Sequence, residues 1–268
     1  MEPLNLNETK LVVIVANEKG GVRKTSNAML VGDYFGDCGF HVDYIQIDKQ
    51  GRLEERFGDR VISIGMPSVA AIRKDDLADG RALLPVYDCL LNIALGVRIV
   101  DTGANMDTRF FDWTVNQGLA EQCAELGITV LGIIPILPDS DAIKLGLRTA
   151  TRFSIAFPGS PLLVIIGDDG ADLEQSARDE ICEKFSRAVE IDHNEIMFIE
   201  GHRLLPNAVD SLERARLSAL RFAATSIPVL ATLLKVHPSL VGIVRGDVQI
   251  YVASMVTELR RFLHVAPA

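Results

Sequence analysis

The sequence has little of what a disulfide scaffold, a membrane span or a polyanion-binding surface requires. Its four cysteines, Cys38, Cys89, Cys123 and Cys182, are scattered and form no C-x-x-C pair, which argues against a zinc or disulfide framework and suits a reduced compartment. Basic residues are in deficit: 27 Lys and Arg stand against 36 Asp and Glu, a formal charge of -9. So acidic a chain repels nucleic acid and anionic lipid as a whole, and any such contact has to come from a local basic patch. No uninterrupted apolar run approaches the ~20 residues that span a bilayer, and Met1 to Lys10 is polar and acidic rather than basic-then-apolar. The expected compartment is the cytoplasm, and membrane binding is not expected. Low-complexity linkers and internal repeats are absent too, which removes the obvious places to divide the chain.

What is present is apolar bulk in short pieces. At 268 residues, 48% of them hydrophobic, and a mean hydropathy of +0.22, the chain can bury one sizeable core, and the expectation is a single domain over residues 1–268. Val- and Ile-rich runs at Leu11–Ala16, Val42–Ile47, Val61–Ile64, Val97–Val100, Ile128–Ile136, Leu162–Ile166 and Ile196–Ile199 are apolar on both faces, as buried parallel strands are. Helical stretches are expected between and after them at Lys24–Asp37, Ser68–Ala78, Arg81–Leu95, Thr108–Leu126, Ser140–Phe153, Leu173–Val189, Ala208–Ala223 and Asp247–Leu263. The alternation predicts an α/β fold, a doubly wound, mostly parallel sheet flanked by helices. In the last helix Val252, Met255, Val256, Leu259 and Leu263 recur at spacings of three and four, so it should lie against the sheet.

Directly after the first strand comes Asn17-Glu18-Lys19-Gly20-Gly21-Val22-Arg23-Lys24-Thr25-Ser26, running into a helix. Strand, glycine-rich loop and helix start are what a phosphate cradle needs, because successive backbone N–H groups and a helix N-terminus point at the same anion. Gly20 and Gly21 let the chain turn without a side chain in the way. Lys24 would reach the β- and γ-phosphates, and the Thr25 hydroxyl would ligate a bridging magnesium ion. Arg23 stands where the second glycine of G-x-x-x-x-G-K-[ST] belongs, so the strict pattern fails. The block nonetheless resembles the deviant Walker A loop, K-G-G-x-G-K-[ST], of the ParA/MinD family of dimeric ATPases, with Lys19 at the signature lysine and Arg23 the one specified position not met.

The resemblance runs in order from Lys10 to Leu263. Gln46-Ile47-Asp48-Lys49-Gln50-Gly51 is similar to the family's D-x-D-P-Q-G, with Gln46 and Lys49 departing from it and Asp48 retained. Val97 to Gly103 resembles the Walker B strand and switch segment, ending in Asp101. Ile133-Ile134-Pro135 with Pro138 to Asp141 is similar to the strand and turn that close the dimer face, and His202 to Asn207, with Pro206, to the loop that brackets the base. Asp168 stands at the end of the sixth strand, where many members carry an adenine-reading Asn. A carboxylate there suits guanine's donors at least as well, so base choice stays open.

By this resemblance Lys19, Lys24 and Asp48 would be catalytic. Gly20, Gly21, Val22, Arg23, Lys24, Thr25, Ser26, Asp168 and Pro206 would hold ATP or ADP. Thr25, Asp48 and Asp101 would hold Mg2+. It implies a nucleotide-dependent homodimer in which Lys19 crosses to the partner's phosphates, a protein partner that promotes hydrolysis or links cargo, and a cargo of DNA or a protein complex. Arg203, Arg214 and Arg221 are candidates for a weak DNA-backbone contact, the last two being expected on one helix face. Two outcomes are open at Arg23. Either it offers a guanidinium to phosphate and slows hydrolysis, or it blocks the pocket, leaving a non-hydrolysing scaffold or regulator. An iron–sulfur ATPase of similar fold is excluded, since Cys89 and Cys123 fall in helical stretches rather than glycine-rich loops.

Overall fold

The computed structural model describes residues 8–47, 51–75, 77–167, 174–190, 194–201 and 204–263. Among these, seven strands form one sheet: β1 (Lys10–Val15), β2 (Val42–Ile47), β3 (Val61–Ser63), β4 (Gly96–Thr102), β5 (Thr129–Ile136), β6 (Leu162–Gly167) and β7 (Ile196–Gly201). Every pairing is parallel, in the order β3-β2-β4-β1-β5-β6-β7. The helices are α1 (Lys24–Asp37), α2 (Glu54–Phe57), α3 (Val69–Ile72), α4 (Ala78–Leu91), α5 (Asp107–Asn116), α6 (Leu119–Glu125), α7 (Ser140–Ala156), α8 (Gln175–Val189), α9 (Pro206–Ala215), α10 (Ala219–Ala224), α11 (Ile227–Leu234) and α12 (Pro238–Leu263). The architecture is the expected doubly wound α/β sheet.

β1 shows why such short apolar runs become strands. Leu11 to Val15 are all buried, so both faces of the strand must be covered, and the period of two deals its side chains alternately to two cores. Leu11, Val13 and Val15 join residues of α1 and α9 to α12 on one face of the sheet. Val12 and Ile14 join residues of α4 to α8 on the other. The chain leaves β1 toward β2 and β3, returns to β4, then crosses to build β5, β6 and β7 on the opposite flank. β1 and β4 therefore bracket the point where the winding reverses, and the crevice outside their carboxyl ends is where a doubly wound sheet takes its ligand.

Several helices differ from expectation. The stretch at Thr108–Leu126 divides into α5 and α6 at Gly118, whose φ of 60° is left-handed. That at Ala208–Ala223 divides into α9 and α10, because Arg216 turns left-handed with φ 52° and the Ser218 side chain starts a new helix by accepting from Arg221 N–H at 3.3 Å. Arg214 and Arg221 thus lie on different helices, not one face. Arg214 donates to the Leu234 carbonyl at 2.6 Å, and Arg221 lies 3.8 Å from Asp33 and over the Phe57 ring. Both make contacts within the chain, and Arg203 lies outside the described residues. Ser68–Ala78 yields only the single turn of α3, and α2 and α11 arise where no helix was expected.

α12 starts at Pro238, well before Asp247. Among the described residues it is the one helix long and apolar enough, by length and composition, to cross a membrane, with a mean hydropathy of 1.2 over its best window. Arg245 and Asp247 interrupt it, and Val241, Val248, Met255, Leu259 and Leu263 are buried where it packs on α10, α11 and β7. Leu240, Ile243 and Ile250 are exposed on its outer side. If α12 is an integral wall of the core, Leu259→Ala should lower the unfolding free energy by about 2–5 kcal/mol, read as a shifted urea midpoint with an unchanged slope. A loss under about 0.5 kcal/mol, the scale of a surface substitution, would contradict this packing.

Candidate functional site

The segment after β1 is fixed at its start by Asn17, whose fully buried side chain donates to the Pro135 carbonyl at 2.8 Å and accepts from Lys19 N–H at 2.8 Å. Beyond it the chain reverses through Gly21, with φ 82°, and Arg23, with φ 64° and ψ 30°. A left-handed conformation is cheap for glycine but costs an L-residue about 1–2 kcal/mol. Arg23 therefore keeps the turn that a glycine would make, at an energetic cost, as the residue capping α1. The loop is closed by Lys24, whose buried ammonium donates to the carbonyls of Asn17 at 2.7 Å and Lys19 at 2.8 Å.

The next residue reaches a neighbouring strand. Thr25 Oγ1 donates to Asp101 Oδ2 at 2.7 Å, and parallel pairing sets Asp101 beside Val15, the last residue of β1. A hydroxyl and a carboxylate at the mouth of an anion cradle fit magnesium, which keeps most of its waters and takes few protein ligands alongside phosphate. Among the described residues no cluster of three or more His, Cys, Asp or Glu side chains could hold a metal without such help. Gly20, Gly21, Arg23, Lys24, Thr25 and Ser26 line a cavity of about 400 Å³, faced by Thr102 at the end of β4, by Gly103 and Ala104 just after it, and by Arg52, Val209 and Glu213. Val22 is buried beneath the loop. A parallel sheet with a strand–loop–helix cradle at its switch point is an arrangement that P-loop nucleoside triphosphatases and dinucleotide-binding folds share.

No protein-family model and no curated protein sequence matches this chain. Solved structures do. The MinD cell division protein of Aquifex aeolicus matches at 13% identity, over 90% of this chain and 96% of that one, with a TM-score of 0.44. The MinC:MinD cell division protein complex of the same organism matches at 15% identity, over 80% of this chain and 88% of that one, with a TM-score of 0.43. A likeness this distant assigns no role to any residue here.

Of the other expected site residues, Asp48 and Asp168 lie outside the described residues. Pro206 is the first residue of α9, and Leu204 and Val209 on either side of it line an apolar recess next to Ser26. Lys19 is partly exposed, with Nζ 3.6 Å from Asp139 and 3.7 Å from Asp141 of its own chain. Such half-exposed pairs are worth at most about 1 kcal/mol, so this arrangement is easily exchanged for another. Gln46 is buried, and its Oε1 accepts from Leu53 N–H at 2.7 Å, a structural role for a position where an acid was sought.

Sequence reasoning missed Arg52 and Glu213, which face the loop across the cavity. Arg52 follows directly on the Asp48–Gly51 block, and Glu213 lies one turn beyond Val209 on α9, so that spacing was the available signal. It also missed the support behind the loop. The Glu18 carboxylate lies 3.4 Å from Arg148 and 3.2 Å from Arg152 and accepts from Thr108 Oγ1 at 3.0 Å. Glu18 N–H donates to Thr149 Oγ1 at 3.3 Å, and that hydroxyl donates to Asp107 Oδ2 at 2.6 Å. The loop is thereby tied to α5 and α7 at once.

Asp107 is fully buried, and burial raises its carboxyl above the ordinary aspartate range against the lowering effect of the Thr149 hydrogen bond. A raised folded-state value favours the protonated form. Its stabilising contribution is complete below the ordinary aspartate pKa and is lost as pH rises through the raised one. Asp107→Asn, which mimics the protonated acid, should therefore be at least as stable as the parent at neutral pH. Its advantage should shrink toward ~pH 4, as measured by urea unfolding at both pH values. A variant less stable than the parent at neutral pH would show instead that the Asp107 charge holds this junction together.

Proposed function

We propose that this chain binds a purine nucleotide, ATP or ADP, with Mg2+ through the loop from Lys19 to Ser26. We further propose that it works as a nucleotide-dependent dimerising ATPase switch that positions or segregates a cargo such as DNA or a protein complex. The observation that carries the reading is one constellation: a closed glycine turn, the Lys24 ammonium across it, and the Thr25–Asp101 pair, together at the switch point of the sheet. Backbone N–H groups and Lys24 suit the phosphates, Thr25 and Asp101 would hold the magnesium, and the metal would supply charge neutralisation between β- and γ-phosphate. Asp48 is the residue proposed to orient water. Ser26 and the recess beside Pro206 would take the ribose and base.

Dimerisation is proposed through Lys19, which would trade its contacts with Asp139 and Asp141 for the phosphates of a second copy. A protein partner would promote hydrolysis or link the cargo, and the proposed compartment is the cytoplasm. Turnover is proposed to be slow, because Arg23 adds a guanidinium beside the phosphate site and holds a strained turn in place. The second reading, a non-hydrolysing scaffold of the same fold, is favoured by Gln46, whose side chain is committed to the backbone of Leu53.

Calorimetry with magnesium and ATP, GTP or ADP tests the first reading. Binding is expected at or below millimolar nucleotide. Lys24→Ala should weaken it at least about tenfold, since a hydrogen bond to a charged group is worth about 1.5–3 kcal/mol and 1.4 kcal/mol is tenfold. Turnover at or below about 1 s⁻¹ should rise in Arg23→Gly. No heat with any of the three nucleotides would remove the nucleotide reading. Binding without turnover in either protein would favour the scaffold.

A further inference from the structure

Ser26 and Glu213 belong to the walls of three adjoining cavities at the start of α1. One is the phosphate cavity above the loop. The second is the recess whose apolar wall is Leu204, Val209, Leu212 and Leu217. The third, of about 290 Å³, lies between α1, α2 and α9, with Arg52, Arg56 and Arg216 in its walls and Glu55 beside them. Nothing in the proposed ATPase chemistry uses this third lobe.

Three arginines gather in its walls beside two carboxylates, Glu55 and Glu213. Arg98, Arg109, Arg152, Arg178 and Arg187 each face a carboxylate, as expected in a protein of net charge -9. Arg23, Arg52 and Arg216 form no ion pair and no side-chain hydrogen bond among the described residues. Arg56 is fixed in place, with Nη1 on Met29 Sδ at 2.8 Å and Nη2 donating to the Leu212 carbonyl at 3.3 Å. Guanidinium groups that form no ion pair at a concave site are suited to a phosphate dianion, which accepts their paired N–H groups in a fork.

We propose that this lobe binds a phosphate group carried on the ribose, so that the preferred ligand is a purine nucleotide phosphorylated at the 3′ position as well as the 5′. The inference rests on the nucleotide reading above. Phosphates in the first cavity and a base in the second place the connecting sugar at Ser26 and Glu213, where the third lobe opens. The Glu213 carboxylate is then an acceptor for the remaining ribose hydroxyl, and Arg52, shared by the first and third cavities, bridges the two phosphate positions.

Calorimetry with magnesium tests this with two pairs of probes: ADP against adenosine 3′-phosphate 5′-diphosphate, and GDP against guanosine 3′-diphosphate 5′-diphosphate. In at least one pair the 3′-phosphorylated member should bind about tenfold tighter or more. The exposed Arg216→Ala should bring that ratio to within about twofold, and Arg52→Ala should reduce it in the same direction, with thermal melts confirming that both variants fold. Equal or weaker binding of both 3′-phosphorylated probes, with the parents bound, overturns the lobe and leaves the nucleotide site standing. A preference that survives both substitutions overturns the arginine assignment. Binding of none of the four probes overturns this inference together with the nucleotide reading.

Discussion

The Lys24 ammonium, bonded to the carbonyls of Asn17 and Lys19, is the contact on which the site depends. It closes the segment after β1 into a ring and keeps a positive charge beneath the mouth of the 400 Å³ cavity. The ring can form because Gly21 and Arg23 both turn left-handed and because Asn17 is held from below by Pro135. Glu18 then fastens the same loop to α5 and α7 through Thr108, Thr149 and two arginines. A loop supported on both sides would have little rearrangement to make for the anion proposed to bind it, and that is how preorganised groups gain their effect.

Arg23 is where this frame carries strain. A residue held left-handed at a cost of about 1–2 kcal/mol persists only when its surroundings over-determine it, and such strain collects at functional sites. Here the surroundings are the first turn of α1, where Asn27 N–H and its side-chain amide both bond the Arg23 carbonyl at 3.0 Å. Beneath it Tyr251 of α12 is buried, which raises its phenol to about 12 despite the nearby Arg23 charge. Arg23 also lines the cavity above the loop, so the position that would otherwise be only backbone brings an extra cation to an acidic chain.

The fold was legible because burial on both faces leaves a strand no polar alternation, and all seven apolar runs became strands of one parallel sheet, the edge strand β3 included although it stays largely exposed. The strand–loop–helix geometry was legible for the same reason, since a glycine pair between such a strand and a helix start marks a tight turn. The helices were read less well. Gly118 is an ordinary breaker, but Arg216 adopts a left-handed φ that nothing in its side chain announces, and with it the supposed face of Arg214 and Arg221 dissolved. Local spacing sets Arg52 after the Asp48–Gly51 block and Glu213 one turn beyond Val209, but that they and Arg56 converge follows from α2 and α9 docking beside α1, a tertiary event.

The central claim is that the segment from Asn17 to Ser26 is a phosphate-binding loop in spite of Arg23, with Asp101 as its companion. Hydrogen–deuterium exchange, followed by mass spectrometry with and without magnesium and a saturating purine nucleotide, tests it most directly. The account predicts slower exchange in peptides covering residues 17–27 and 101–105. Slowed exchange confined to surfaces remote from β1 and β4, or none at all, would contradict it.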